Sequence, residues 1–124
     1  MAKQTEHCPV SRWQLLKGLL NNLSPEAFRQ AIATQPGITV IDVRTAEEFA
    51  ANHIASAVNI DYLAYDFWDC IEKLDPQRTY LVYCRSGRRS VRAATLMRNG
   101  GFKAVYHLDG GYANWNDDIP LATR

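Results

Sequence analysis

The sequence predicts an α/β fold, a central parallel sheet with helices packed on both faces. Three observations carry that expectation. Apolar segments alternate with amphipathic ones along the chain, the pattern of strand–helix–strand units. The two strongest apolar segments, ITVIDV (38–43) and TYLVYC (79–84), do not alternate with polar residues, as strands buried on both faces do not. A chain of 124 residues, 47% of them hydrophobic, suits one core rather than two.

The elements follow in order. Residues 1–20 read as an N-terminal extension, a polar arm followed by a short helix over 13–20 with Trp13, Leu16 and Leu20 at helical spacing. Residues 21–124 read as a single domain. Ser24 is placed to cap a helix that starts at Pro25, carries the stripe Phe28, Ala31, Ile32 and ends at Pro36-Gly37. After the strand 38–43, Thr45 and Glu48 have the spacing of a capping box. ASAVNI (55–60) supplies a short strand. AYDFWDCIEKL (64–74) supplies a helix with Phe67, Cys70, Ile71 and Leu74 on one side, so Cys70 is expected to be buried. TYLVYC is the next strand. SVRAATLMRNGG (90–101) is a helix closed by Gly100-Gly101, and a strand AVYHL (104–108), a turn at 109–111 and a last short helix over 112–117 complete the chain.

Composition narrows the function. Lys plus Arg is 14 against 13 for Asp plus Glu, a net charge of +1, so neither nucleic acid nor a membrane surface is implied as a partner. No apolar run approaches the ~20 residues of a membrane span, and the N-terminus matches neither a secretory signal nor, with Ala2 in second place, a myristoylation site. Three cysteines, Cys8, Cys70 and Cys84, do not make a disulfide framework and fit a reducing, cytoplasmic compartment. No ligand spacing suggests a metal, His7, His53 and His107 are scattered, and no cofactor is implied.

The chemistry is local, in YLVYCRSGRRS (80–90). Cys84 leaves a buried strand at its carboxyl end, where ligands gather in parallel sheets. It enters a loop that becomes a helix near Ser90, whose first N–H groups favour an anion. Gly87 lets the loop curl so that several N–H groups point inward. Arg85, Arg88 and Arg89 add positive charge, and the set is expected to hold Cys84 as a thiolate. Cys84 is therefore the candidate nucleophile, and Arg85, Ser86, Gly87, Arg88, Arg89 and Ser90 the candidate substrate-binding loop. A buried structural cysteine is the competing reading, but such a turn needs neither three arginines nor a central glycine.

YCRSGRRS with the later Gly101-Phe102 and LDGGYANW resembles the active-site loop and carboxyl-terminal signature of the rhodanese-family sulfurtransferases. IDVRTAEEFAANHIASAVNI resembles that family's upstream signature. The similarity runs from about Leu23 to Pro120. Asn52 and Ser56 stand where the family usually has glycine, and a glycine common before the last proline is absent at Asp118-Ile119-Pro120. The resemblance implies a three-layer sandwich with about five strands. It also implies transfer of sulfur from a small anionic donor such as thiosulfate, through a persulfide on Cys84, to a thiol or protein acceptor. Within that resemblance Arg89 fits the family position best and Arg88 reads as its solvent-facing neighbour. A persulfide carrier or a regulatory module for a protein partner remains open, as do the physiological donor and acceptor and the oligomeric state.

Other candidates have plainer readings. Asp42 and Arg44 read as a charge pair tying a strand end to Glu47 or Glu48. His53 and His107 read as structural, with His107 open as a pocket-mouth residue. Tyr112 and Trp115 read as core, and Cys8 as a tail thiol. A Cys-loop phosphatase or arsenate reductase is the nearest rival, and it is disfavoured by count. Those enzymes use Cys-x5-Arg, whereas here the arginine is at the fifth position, Arg89, and the sixth is Ser90. The shorter loop should turn over p-nitrophenyl phosphate negligibly; turnover abolished by Cys84→Ala would reverse this ordering.

Overall fold

The computed structural model describes residues 12–116, so the expectations for His7, Cys8 and the end of the chain lie outside the described residues. The elements are α1 (Arg12–Gly18), β1 (Asn21–Leu23), α2 (Pro25–Thr34), β2 (Thr39–Asp42), α3 (Ala46–Ala51), β3 (Val58–Asn59), α4 (Phe67–Glu72), β4 (Thr79–Tyr83), α5 (Arg88–Asn99), β5 (Ala104–Leu108) and a 3₁₀ turn, Tyr112–Asn114. Among the described residues the sheet has five strands in the order β1-β5-β4-β2-β3, every pairing parallel. The predicted α/β class, with a parallel sheet of about five strands, is the observed one.

Strand periodicity sends alternate side chains to two cores. Ile41 and Val43 with Tyr80, Val82 and Val105 pack against Leu20, Ile71, Val91, Ala94 and Met97, the side of α1, α4 and α5. Val40, Leu81, Tyr83 and Leu108 pack against Phe28, Ala31 and Ile54, the side of α2 and the segment after α3. The central strand β4 is buried almost throughout, which is why its sequence shows no alternation. The helix starts follow the sequence: Ser24 Oγ accepts the Ala27 N–H at 3.1 Å, and Thr45 with Glu48 closes a reciprocal capping box.

Several expectations are corrected. β1 is a strand that the sequence did not announce. Its residues Asn21-Asn22-Leu23 are polar enough to read as a loop, and it exists because β5 offers an edge to pair with. α1 packs against α5, with Leu20 buried and Leu16 against the same core. Cys70 is half-buried, its Sγ 3.8 Å from Asp66 Oδ2, because Phe67 and Ile71 take the inward face of a helix of only six residues. α5 begins at Arg88, two residues before the expected start. Ser56 has φ +67°, the left-handed region, at the position where the sequence departs from a glycine.

His107 is 1% exposed, with Nδ1 at 3.0 Å from Asn22 Oδ1 and Nε2 at 2.7 Å from Ser90 Oγ. Burial, reinforced by nearby Lys17, pushes its pKa down to about 4, with Asp109 and the Gly87 backbone opposing. The unfolded chain takes up this proton near pH 6.5 while the fold resists until about 4, so the unfolded state binds more protons throughout that window. Folding stability should therefore be complete above about pH 6.5 and fall by about 3 kcal/mol as pH drops through the window. Urea titrations across pH 4–7 on the wild type and His107→Gln measure it; the substitution should remove that part of the slope, and identical slopes would refute it.

Candidate functional site

Two neighbouring parallel strands build the site. β2 and β4 are neighbours, but the chain leaves β2 for α3 on one face and leaves β4 for α5 on the other. A crevice opens where two such connections diverge, beyond the carboxyl ends of the strands. Arg44 to Glu48 line one wall and Cys84 to Ser90 the other.

Cys84 follows β4 directly and is 1% exposed. Its Sγ accepts the N–H of Gly87 at 3.1 Å and of Ser90 at 3.3 Å. Gly87 makes this possible with φ +113°, a conformation that side-chain-bearing residues rarely adopt. It lets the N-cap N–H of Gly87 and the first-turn N–H of Ser90 in the 12-residue α5 both reach the sulfur, at the positive end of the helix dipole. The loop is also held from outside. The Cys84 carbonyl accepts from Tyr112 N at 2.7 Å, and the Arg85 carbonyl from Ala113 N at 2.9 Å.

The three arginines separate. Arg85 and Arg88 are exposed. Arg89 turns to the opposite wall and forms a two-point ion pair with Glu48, Nη1 to Oε1 at 2.8 Å and Nη2 to Oε2 at 3.2 Å. The hydrogen bonds from Arg89 are the largest cause of a Glu48 pKa lowered to about 2; partial burial opposes them and the Thr45 amide adds to them. One carboxylate thus caps α3 and ties it to the first turn of α5. Ser86 is exposed at the tip of the loop, and Ser90 is buried beneath it.

Asp42 and Arg44 form a fully buried pair: Asp42 Oδ2 accepts from Arg44 Nη2 at 2.7 Å and from Nε at 3.0 Å, and Oδ1 accepts the Arg44 N–H at 2.8 Å. The expected tie to Glu47 or Glu48 is replaced. Arg44 Nη2 donates to the Asn52 carbonyl at 2.6 Å, because Glu48 is taken by Arg89. Arg44 also lies over the Tyr112 ring, 4.5 Å from its centroid, and Tyr112 stacks on Tyr83. His53 is exposed, stacked on Phe49 and bonded to the Phe49 carbonyl, far from a base's role. His107 lies under the loop, not at the pocket mouth: a Cβ on Gly87 would sit 3.6 Å from its ring. Tyr112 is half-buried and lines a groove of about 480 Å³ with Arg44, Glu48, Ala51, Asn52, Arg85 and Ala113, so it meets solvent as well as core.

The sequence pattern marked the Cys84 loop at the end of β4, where the structure has it. It did not find Glu48 as the partner of Arg89, because 41 residues separate them. The local signals at Glu48, the capping box with Thr45 and the nearby Arg44, both pointed elsewhere.

Comparison with known proteins agrees with this geometry. The family model of the rhodanese-like domain matches residues 24–118. The thiosulfate sulfurtransferase GlpE of Pseudomonas savastanoi pv. phaseolicola is 35% identical over 99 residues, 80% of this chain and 91% of that protein. Among solved structures, a rhodanese-like domain protein from Staphylococcus aureus superposes with a TM-score of 0.71 at 19% identity, over 84% of this chain and 100% of that one. RPA3614 of Rhodopseudomonas palustris, described as of unknown function and a possible tyrosine phosphatase, superposes at 0.73 with 20% identity, over 98% and 99%. At such identities the two structures report the fold alone. With two signatures, a shared fold and a matching family model over most of its length, the chain belongs to the rhodanese-like domain family.

Proposed function

We propose that the protein is a sulfurtransferase that carries sulfane sulfur as a persulfide on Cys84. The observation that supports it most directly is the cradle itself, two backbone N–H groups at 3.1 and 3.3 Å from a single sulfur atom. The name of the GlpE relative supplies the donor class, thiosulfate. In the first half-reaction the Cys84 thiolate attacks the outer sulfur of thiosulfate. A sulfur–sulfur bond forms on Cys84, the sulfur–sulfur bond of the donor breaks, and sulfite leaves with that bond's electron pair. In the second, an acceptor thiolate takes the outer sulfur and the Cys84 thiolate is regenerated. Two half-reactions joined by a covalent intermediate give ping-pong kinetics.

Each residue has a part in this reading. The Gly87 and Ser90 N–H groups stabilise negative charge on the persulfide as an oxyanion hole does on oxygen. Arg85 and Arg88 draw in the anionic donor, while Arg89, committed to Glu48, braces the loop and contributes charge from behind. The groove beside Arg85 and Tyr112 is of ligand size (small-molecule clefts run ~300–1,000 Å³) and offers room for an acceptor larger than thiosulfate. Cys70 and Cys84 are both free thiols, consistent with work in the cytoplasm. Among the described residues no helix is long and apolar enough to cross a membrane.

Incubation with thiosulfate, followed by intact-protein mass spectrometry, should add one sulfur atom to the wild type, none to Cys84→Ala, and leave Cys70→Ser like the wild type. An unmodified wild type, or an adduct that persists in Cys84→Ala, would overturn the proposal.

A further inference from the structure

We propose that the segment ahead of the family-matched region is a working part of the cysteine site: Asn22 on β1, acting through His107, fixes Ser90 and with it the N–H that holds the Cys84 sulfur. This rests on the reading of Cys84 as the reacting atom. Its first residue, Asn22, lies outside both family signatures, since the family model begins at residue 24.

The chain of contacts has a single direction. Asn22 Nδ2 donates to the carbonyls of Lys17 at 3.0 Å and Leu20 at 3.2 Å, which fixes the amide so that Oδ1 faces His107 Nδ1 at 3.0 Å. An amide oxygen can only accept, so Nδ1 carries the imidazole proton. The ring is held neutral, and Nε2 is then bare and accepts. The Ser90 hydroxyl has two acceptors within reach, the Gly87 carbonyl at 3.1 Å and Nε2 at 2.7 Å, and the shorter contact is to the imidazole. Ser90 in turn places its N–H on the Cys84 sulfur at 3.3 Å. The imidazole also supports the loop from below, 3.6 Å from where a Gly87 Cβ would stand.

The far end of the chain is built by the N-terminal segment alone. Lys17 and Leu20 close the carboxyl end of α1, Asn22 lies in β1, and β1 is placed by its pairing to β5, with Asn22 opposite His107 itself. Charged groups around the ring are Lys17 and Asp109, which pair with each other across the end of β5 and so hold the same segment down. Asn22 and His107 touch neither donor nor sulfur, which makes them positioning residues.

The test uses the full chain with Asn22→Ala, His107→Phe and the double variant. Asn22 is exposed on an edge strand, so its truncation keeps the fold even where His107→Phe weakens it. The rate of persulfide formation per folded molecule is expected to fall about tenfold in each single variant, with KM for thiosulfate within about twofold, as for a loss felt in the transition state. The double variant is expected to be no slower than His107→Phe, because both act along one chain. Nitrogen-15 shifts of the imidazole should report an Nδ1–H tautomer in the wild type that is lost in Asn22→Ala. Rates unchanged in both singles, effects that multiply in the double, or an Nε2–H tautomer in the wild type would each overturn the inference. Should the wild type form no persulfide, the sulfurtransferase reading fails by itself. Alkylation of Cys84 by iodoacetamide is then compared across the same variants, where equal rates refute the relay and a slowing in both singles, not multiplied in the double, supports it.

Discussion

Everything at this site depends on how a loop can leave a fully buried strand without stranding its own backbone. β4 runs in the middle of the sheet, so the carbonyls of Cys84 and Arg85, just past its end, need partners that the ladder no longer provides. Tyr112 N and Ala113 N supply them from the turn after β5. The approach is so close that a Cβ on Gly111 would lie 2.5 Å from the Arg85 carbonyl oxygen, and the backbone there has φ +69°. Glycine is therefore required by contact as well as by conformation. The cysteine loop and the later LDGGYANW are two sides of one object: the residues after β5 are the outer wall of the cysteine loop.

Charge is distributed by the same geometry. Three arginines beside one thiol look like a uniform positive field, yet the crevice between β2 and β4 sorts them. Arg89 faces Glu48 across it, and this pair joins the first turns of α3 and α5 from opposite faces of the sheet. A partly exposed ion pair contributes little to stability on its own. Its value here is positional, because it bears on how α5 is seated, and α5 with its N-cap Gly87 carries the N–H groups on the sulfur. Arg44, deeper in, is neutralised by Asp42 and covered by Tyr112. Arg85 and Arg88 stand exposed at the rim.

Much of this was legible in the sequence, and what was missed has a common cause. The caps at Ser24 and Thr45, the buried strands β2 and β4, and the glycine at 87 are short-range features, and short-range rules find them. β1 was missed because Asn21-Asn22-Leu23 has no strand pattern of its own and is ordered only by β5, more than eighty residues away. Cys70 was over-buried because its apolar neighbours suggested one wide face, while a helix of six residues buries only Phe67 and Ile71. The partners of Arg44, Arg89 and His107 are long side chains or distant residues, for which spacing gives no signal. Asn22 shows the limit well: in sequence it is a polar residue before a helix cap, and in the fold it is opposite a buried histidine.

The difference between sulfur and phosphorus chemistry on one fold comes down to what the loop N–H groups point at. A loop wide enough for a tetrahedral oxyanion must aim its donors at a space beyond the nucleophile. In this chain, with the arginine at the fifth position after Cys84, the Gly87 and Ser90 donors converge on the sulfur atom itself. Such a cradle lends its stabilisation to charge carried by the protein's own sulfur rather than to the oxygens of a bound ester. The arginine closing the loop differs correspondingly. A phosphoryl-transfer loop needs that guanidinium turned to the ligand oxygens, and Arg89 spends both of its terminal nitrogens on Glu48. Loop length and arginine direction thus depart together from what a phosphoryl-transfer loop requires.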